Sequence, residues 1–345
     1  MTFSSAERTA MRRALVLAAT PGIPLGPNPR VGCVIIDDDG ATVAEGHHRG
    51  VGTPHAEVDA LTAAGERARG ATAVVTLEPC NHTGRTGPCS RALVAAGVRR
   101  VVFAQPDSSP VAQGGAARLT AAGIQTEGGL DEPDARALNR AWTFAVDHRR
   151  PFVTWKFATT LDGRSAAADG TSRWVSGPEA RRDTQRLRAL CDVMLVGTNT
   201  IAVDDPLLTV RGDDDLPLPN QPLRVVMGER DLDPTRRVFN HDAETLHLRT
   251  RDPHAALAEV FARGRQHVFL EGGPTVAAAF LRARLVDEVI AYVAPMLLGA
   301  GRSAVADLGI ATIGDALRLT ITDVALLGTG QDATVRLTMT PPKEH

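Results

Sequence analysis

The chain has 345 residues, with 38 Lys and Arg against 40 Asp and Glu, a formal net charge of −2, 43% hydrophobic residues and 4% aromatics. The length calls for two domains of roughly 100–200 residues each, the charge balance gives no general attraction to nucleic acid or to an anionic membrane, and so few aromatics leave little to stack bases in series. Four cysteines make no disulfide framework, Met1 to Arg13 holds no apolar run of signal-peptide type, and the other apolar runs are strand-length, so a soluble cytoplasmic protein without a membrane span is expected.

Ser5 to about Ala19 reads as an amphipathic helix, and Val31 to Asp37, rich in β-branched residues, as a strand. Ala41 to His47 is its partner across the acidic turn Asp37-Asp38-Asp39-Gly40. A helix is expected to start near Pro54, since proline suits a first helical turn and Val58, Leu61 and Ala64 follow at helical spacing. Ala73 to Leu77 is a third strand. A helix then runs from Cys89 to near Gly97, and Arg99 to Ala104 is the next strand. A helix from about Pro133 to Asp147 closes this unit. The charged His148-Arg149-Arg150-Pro151 is the expected linker, giving domains 1–147 and 151–345. Further strands are expected at Phe152–Ala158, Val193–Val196, Leu223–Met227, His267–Leu270 and Glu288–Val293. Asp213-Asp214-Asp215 and Pro217 to Pro222 mark an exposed loop. Strand–helix alternation in both halves indicates α/β folds.

His55-Ala56-Glu57, Pro79-Cys80 and Pro88-Cys89 carry the chemistry of the first half. One imidazole and two thiolates can hold a zinc ion and leave its fourth position open to water. Glu57 need not ligate. It can take a proton from that water and pass it to a ring nitrogen and a leaving amine, as in zinc-dependent deaminases. Cys89 opens a helix, where free amides and the helix dipole favour a thiolate. A structural zinc is the main alternative. Cys33 and Cys191 sit in apolar contexts and are expected in the core. Eight residues separate Cys80 from Cys89, where deaminases usually have about two. The inserted His82 and Arg85 suggest a subsite for an anion such as phosphate, with an inert surface loop as the other reading.

Thr76-Leu77-Glu78-Pro79-Cys80-Asn81-His82-Thr83-Gly84-Arg85-Thr86, Pro27-Asn28-Pro29-Arg30-Val31-Gly32 and His48-x6-His55-Ala56-Glu57-Val58 together resemble the signatures of the bifunctional riboflavin-biosynthesis deaminase–reductases. The second half matches at Lys156-x5-Asp162-Gly163-Arg164, Asp204-Asp205-Pro206-x-Leu208-Thr209-x-Arg211 and Glu271-Gly272-Gly273-Pro274-Thr275. The resemblance spans nearly the whole chain in the expected order. It implies a cytidine-deaminase-like α/β/α sandwich followed by a dihydrofolate-reductase-like α/β domain. It also implies zinc-dependent deamination of 2,5-diamino-6-(5-phosphoribosylamino)pyrimidin-4-one, then NADPH-dependent reduction of the ribosyl chain to 5-amino-6-(5-phosphoribitylamino)uracil. By motif position His55, Cys80 and Cys89 bind zinc, Glu57 is the proton shuttle, and Asn28, His48 and His82 line the pyrimidine and phosphoribosyl pocket. The chain departs from the family pattern at Gly87, often Pro, and at Asp107-Ser108-Ser109-Pro110, often Asp-Pro-Asn-Pro.

No Gly-x-Gly-x-x-Gly fingerprint and no Walker loop occurs in the second half. Glu271-Gly272-Gly273-Pro274-Thr275 follows an apolar strand and precedes an apolar helical run. Such a turn is either an anion site or an ordinary connection. The resemblance gives Gly272, Gly273, Pro274 and Thr275 to the NADPH phosphates and adds Ala158, Trp174, Thr200 and Asp204 as nucleotide contacts. It assigns Ser172, Arg188, Leu208, Arg211 and Glu271 to the substrate. Arginines suit a 5-phosphate because guanidinium grips phosphate in a bidentate fork. Lys156, on an expected strand, is either solvated or placed to orient the ribose for hydride transfer, and the second reading is favoured. The family also suggests a homo-oligomer through the reductase half.

Two other readings stay open on the residues alone. A zinc deaminase of another base, with an unrelated C-terminal domain, is disfavoured by the cysteine spacing and the second-half motifs. A non-catalytic zinc module, binding nucleic acid for example, needs a fourth protein ligand and a basic face, and neither is evident.

Overall fold

Near-continuous buried runs build the central strands of the first sheet, and helices cover both of its faces. The computed structural model describes residues 3–23, 26–83 and 87–342. It divides into two compact units, Met1–Arg149 and Arg150–His345.

The first unit runs α1 (Ser5–Ala18), β1 (Gly32–Ile36), β2 (Thr42–His47), α2 (Ala56–Ala64), β3 (Thr72–Leu77), α3 (Cys89–Ala96), β4 (Arg100–Gln105), α4 (Gly115–Ala121), β5 (Gln125–Gly128), α5 (Glu132–Leu138) and α6 (Arg140–His148). Its sheet order is β2-β1-β3-β4-β5. β1 is antiparallel to β2 and β3, while β3, β4 and β5 run parallel. Val34, Val74 and Val102 pack on α1 and α5 from one face. Cys33, Ile35 and Val75 pack on α2 from the other. Ser4 starts α1 with a capping box shared with Glu7. Glu7 also accepts from Arg100 Nε at 2.6 Å. Burial of Met11, fully enclosed, contributes about 1.5–3 kcal/mol to holding α1 on the sheet. The partly exposed Arg100–Glu127 pair adds only about 0–1 kcal/mol.

Three expectations shift here. Pro54 precedes α2, whose N-cap is His55 in an extended conformation. The helix expected over Pro133–Asp147 is two helices broken at Asn139. The buried Asn139 carboxamide accepts from Arg30 N at 2.8 Å and donates to Arg30 O at 2.9 Å, standing in for a strand partner. α4 and β5 were not anticipated, because β5 is a largely exposed edge strand without apolar alternation.

The second unit runs β6 (Phe152–Thr160), β7 (Arg164–Ala166), α7 (Pro178–Arg188), β8 (Val193–Gly197), α8 (Thr198–Asp204), β9 (Leu223–Met227), β10 (Thr245–Leu248), α9 (Pro253–Ala262), β11 (His267–Leu270), α10 (Pro274–Arg282), β12 (Glu288–Ala294), β13 (Arg302–Ser303), β14 (Thr320–Leu327) and β15 (Thr334–Thr340). The main sheet has the order β10-β9-β8-β11-β6-β12-β15-β14, with β13 and β7 as a separate ribbon. The first six strands in that order are parallel, and β15 and β14 close the edge antiparallel. One sheet face packs on α9 and α10. On the other, α7 is tied down where Tyr292 Oη donates to Asp183 Oδ2 at 2.7 Å and Arg336 Nη1 donates to the same oxygen at 2.9 Å. β14 escaped the sequence reading because it is a mostly exposed edge strand, and β15 was passed over although it alternates strictly from Thr334 to Thr340. Their cross-strand pairs Ile321–Met339, Val324–Leu337 and Leu326–Val335 form one apolar strip, in which Ile321, Val324 and Leu326 are 56%, 60% and 70% exposed. Among the described residues, no helix is long and apolar enough to cross a membrane.

Gly46 lets α2 lie against β2, since a Cβ there would fall 2.4 Å from both Ala56 O and Ala60 N. Gly46→Ala is expected to lower the unfolding free energy of the first unit by about 1–3 kcal/mol, read by urea denaturation. Gly87→Ala, where a Cβ meets nothing within 4 Å, is the matched substitution expected to leave it unchanged.

Candidate functional site

Three connections in the first unit converge. His55 caps α2 without using its side chain in the cap, Cys80 follows β3, and Cys89 is the first residue of α3. Their ligand atoms lie within 4.8 Å of one another. His55 Nδ1 is 3.6 Å from Cys80 Sγ and 3.3 Å from Cys89 Sγ. Zinc bonds of ~2.3 Å to sulfur and ~2.0–2.1 Å to nitrogen, set at tetrahedral angles, separate such atoms by about 3.5 Å. The donor set and its spacing therefore fit zinc, with His55 ligating through Nδ1.

The charge balance of the thiols points the same way. The hydrogen bond from Cys89 pulls the Cys80 thiol down to about 4 against the opposing effect of burial, with help from His55 and the Cys89 backbone amide. Contact with Cys80, burial and the neighbouring Glu57 push the Cys89 thiol far up. One proton is thus trapped between two buried sulfurs, and a divalent cation relieves that conflict by letting both ionise. The helix-terminus argument applies to a different cysteine from the one expected. Cys89 N donates to Cys80 Sγ at 3.4 Å and Ser90 N to Cys80 O at 3.1 Å, so the start of α3 favours a thiolate at Cys80.

Glu57, in the first turn of α2, is 3% exposed. Burial and then the Cys80 charge push its carboxyl up to about 7, against the pull of its own backbone amide and of His55. A carboxyl at that value can both take and give a proton near neutrality. Asn28 Nδ2 lies 2.9 Å from His48 Nε2, and His48 Nδ1 lies 3.0 Å from Pro54 O. The carbonyl accepts only, so His48 carries its proton on Nδ1 and receives one from Asn28 on Nε2. Burial holds the His48 imidazole below its ordinary range, and its ring meets that of His55 edge-on at 5.5 Å. His82 Nδ1 is buried and has no hydrogen-bond partner among the described residues. Arg85, expected in an anion subsite, lies outside the described residues with Gly84 and Thr86. At the departure from the family pattern, Asp107 Oδ1 accepts from Ser109 N at 2.8 Å, and burial pushes this carboxyl up to about 6.

The second unit opens a cavity of about 1700 Å³ at the carboxyl ends of its parallel strands, where α/β sheets usually bind ligands. Lys156, Ala158, Ser172, Trp174, Arg188, Thr200, Asp204, Arg211, Glu271, Gly272, Gly273, Pro274 and Thr275 all line it. Leu208 does not. Its side chain packs with Val196, Ile201, Val226 and Val238, which leaves only its backbone, at φ 53°, for any ligand contact. Arg188 is committed elsewhere than expected. Nε and Nη2 form a fork onto Glu271 at 3.0 and 2.5 Å, and Nη1 donates to Thr209 O at 3.2 Å. Burial pushes the Glu271 carboxyl up, yet Arg188 and Lys156 together hold it below its ordinary range. Burial lowers the Lys156 ammonium, whose Nζ stands 5.4 Å from the Tyr292 ring centre. Arg211 Nη1 donates to Asp215 Oδ1 at 2.6 Å, and Arg211 N to Gln185 Oε1 at 3.1 Å.

Two lining residues were missed in the sequence. Arg181 stacks its guanidinium 4.5 Å from the centre of the Trp174 ring, and Gln185 holds the Arg211 backbone. With Arg188 they occupy one stripe of α7 at helical spacing, and that periodicity would have grouped them.

Residues 151–333 match the family model described as the RibD C-terminal domain, and residues 4–105 that of the cytidine and deoxycytidylate deaminase zinc-binding region. The Mycobacterium tuberculosis riboflavin biosynthesis protein RibD is 49% identical over 303 residues, covering 88% of this chain and 89% of that protein. The Escherichia coli protein of the same name is 40% identical over 352 aligned positions, covering 92% and 96%. Acinetobacter baumannii RibD has a similar structure, with a TM-score of 0.88 at 37% identity over 98% of this chain and 99% of that one. So has a Thermotoga maritima diaminohydroxyphosphoribosylaminopyrimidine deaminase/5-amino-6-(5-phosphoribosylamino)uracil reductase, with a TM-score of 0.87 at 29% identity over the same 98% and 99%.

Purified protein is expected to carry one zinc per chain by atomic emission. Cys89→Ser, which replaces a charged sulfur by a poorly ligating hydroxyl, should lose most of it, while Cys33→Ser should retain it. Full retention by the Cys89 variant would rule out this ligand set.

Proposed function

The chain belongs to the RibD family, and from that premise we propose which of its residues perform each of two reactions. It is a bifunctional enzyme of riboflavin biosynthesis, a zinc-dependent deaminase and an NADPH-dependent reductase. It hydrolytically deaminates 2,5-diamino-6-(5-phosphoribosylamino)pyrimidin-4-one and then reduces the ribosyl chain to give 5-amino-6-(5-phosphoribitylamino)uracil.

Residues 1–147 form the deaminase domain and residues 151–345 the reductase domain. His55, Cys80 and Cys89 would hold the zinc, which would make a bound water acidic enough to react near neutrality. Glu57 is placed to move one proton from the attacking water to the ring nitrogen, and then the remaining hydroxyl proton to the amine, which leaves as ammonia. Its burial suits both directions of transfer. Asn28, fixed through its amide nitrogen by His48, presents its carbonyl oxygen to a donor on the pyrimidine, and His82 completes the pocket. The observation that carries this reading is the convergence of one imidazole nitrogen and two sulfurs within 4.8 Å beside the buried Glu57.

In the second unit, the backbone N–H groups of Gly272, Gly273 and Thr275 at the start of α10 would meet the NADPH phosphates, and Pro274, which has no N–H, would shape the turn around them. Ala158, Trp174, Thr200 and Asp204 hold the rest of the nucleotide. NADPH supplies the hydride, and the protein supplies position and charge. Lys156 orients the ribose, Ser172 and Arg211 hold the substrate's phosphorylated end, and Arg188 locks Glu271 in place for the substrate. The strip along β14 and β15 is apolar, uncovered and borne by an edge strand, and a second copy of the reductase domain fits it. The cytoplasm, which keeps cysteines reduced, is the compartment this chemistry suits.

Order follows from the physics of discrimination. A buried group placed to meet a carbonyl is left badly paired when an amine replaces it. Given the diaminopyrimidine and NADPH, Glu57→Gln is expected to release no ammonia and to oxidise almost no NADPH. Given the already deaminated compound, it should oxidise NADPH at about the wild-type rate, and zinc chelation should have the same split effect. Brisk NADPH oxidation with the diamino compound would refute the order. For the assembly, Leu326→Asp should convert a sedimenting dimer to monomer, and an unchanged mass would exclude this face.

A further inference from the structure

We propose that Asp215 is a competing counter-ion that holds Arg211 until a substrate phosphate displaces it, so that this aspartate tunes the reductase's affinity for phosphorylated substrate. The inference rests on the reading of Arg211 as the phosphate grip.

Arg211 and Asp215 both line the cavity. Their contact uses one nitrogen of the guanidinium, Nη1 to Oδ1 at 2.6 Å. Among the described residues the edge that Nη1 shares with Nη2 is thus held at one nitrogen only, and a phosphate, with three acceptor oxygens, can bridge both.

The surroundings hold the arginine and leave the aspartate free to move. Arg211 N donates to Gln185 Oε1 on α7 at 3.1 Å. Gln221 clamps the base of the hairpin, accepting from Val210 N and donating to Val210 O and Leu218 O, each at 2.8 Å. The tip, Asp213-Asp214-Asp215, is solvent-exposed. The Asp215 side chain is 80% exposed, against 32% for that of Arg211. Asp214 is engaged elsewhere, accepting from Leu216 N at 3.1 Å, and among the described residues the carboxylate paired with Arg211 is that of Asp215. An ion pair this exposed is weak and yields to a dianion that makes a bidentate contact. A ligand lacking the phosphate cannot displace it.

The test measures substrate KM in the full-length enzyme with NADPH, using the deaminated phosphoribosyl compound and its dephosphorylated counterpart. Asp215→Asn is chosen because Asn accepts the left-handed backbone at this position, φ 63°. It is expected to lower KM for the phosphorylated compound about two- to fivefold at low ionic strength, with a smaller gain at high salt. It should not move KM for the dephosphorylated compound, nor act in an Arg211→Ala background. Arg211→Ala and Arg211→Lys should themselves raise KM for the phosphorylated compound. Several results would overturn the proposal. Asp215→Asn could leave KM unchanged or raise it while Arg211→Ala weakens binding, and then the aspartate does not compete. An equal gain with and without Arg211 would mean a general charge effect instead. An unchanged KM in both Arg211 variants would remove the phosphate-grip reading and this inference with it.

Discussion

A carboxylate and two thiols buried in one apolar layer set the terms for the first unit. Each charge taken out of water there costs several kcal/mol unless something of opposite sign compensates it. Among the described residues, no lysine or arginine is charge-coupled to Glu57, Cys80 and Cys89, and a bound divalent cation would supply the compensating charge. The surrounding features serve that requirement. Gly46 admits α2 to the sheet closely enough to bring His55 in, and the first amides of α3 are aimed at Cys80.

The second unit solves a related problem with its own side chains. Arg188 and Glu271 are nearly enclosed, their side chains 14% and 11% exposed, and they neutralise each other through a two-point contact. Removing either would strand a charge beside Lys156. A pair of this kind gives the cavity a rigid wall, whereas the half-exposed Arg211 is free to change partners. Both units use the same architectural opening, in which a strand ends, a short turn follows and a helix begins. The His55, Cys80 and Cys89 cluster of the first unit and the turn at residues 272–275 of the second both sit at such junctions.

Much of this was legible in the residues. The cluster of His55, Cys80 and Cys89 could be read because each falls at a strand–helix boundary, and the family because its motifs keep their order along the chain. What escaped depended on partners distant in sequence. Arg188 looks like a phosphate arginine until Glu271, 83 positions away, is seen to fill its fork. Leu208 sits in a motif, yet its side chain belongs to the core. The break at Asn139 is set by a backbone 109 residues earlier. β14 is an exposed edge strand that burial did not mark, while the strict alternation of Thr334 to Thr340 in β15 was a legible strand signal that the sequence reading passed over.

The last strand has a consequence for biogenesis. β15 pairs with β12 and supplies Arg336 to Asp183, 153 residues upstream. As the chain leaves the ribosome, everything up to residue 149 has its partners in hand and can condense early. The second unit must wait, with the edge of β12 bare and Asp183 of α7 held only by Tyr292 and Arg186, until residues 334–340 emerge. Long-range closure of this kind is slow and leaves a sheet edge open to mispairing. Loss of β15 would therefore spare the metal-binding half and expose the other to the cell's proteases.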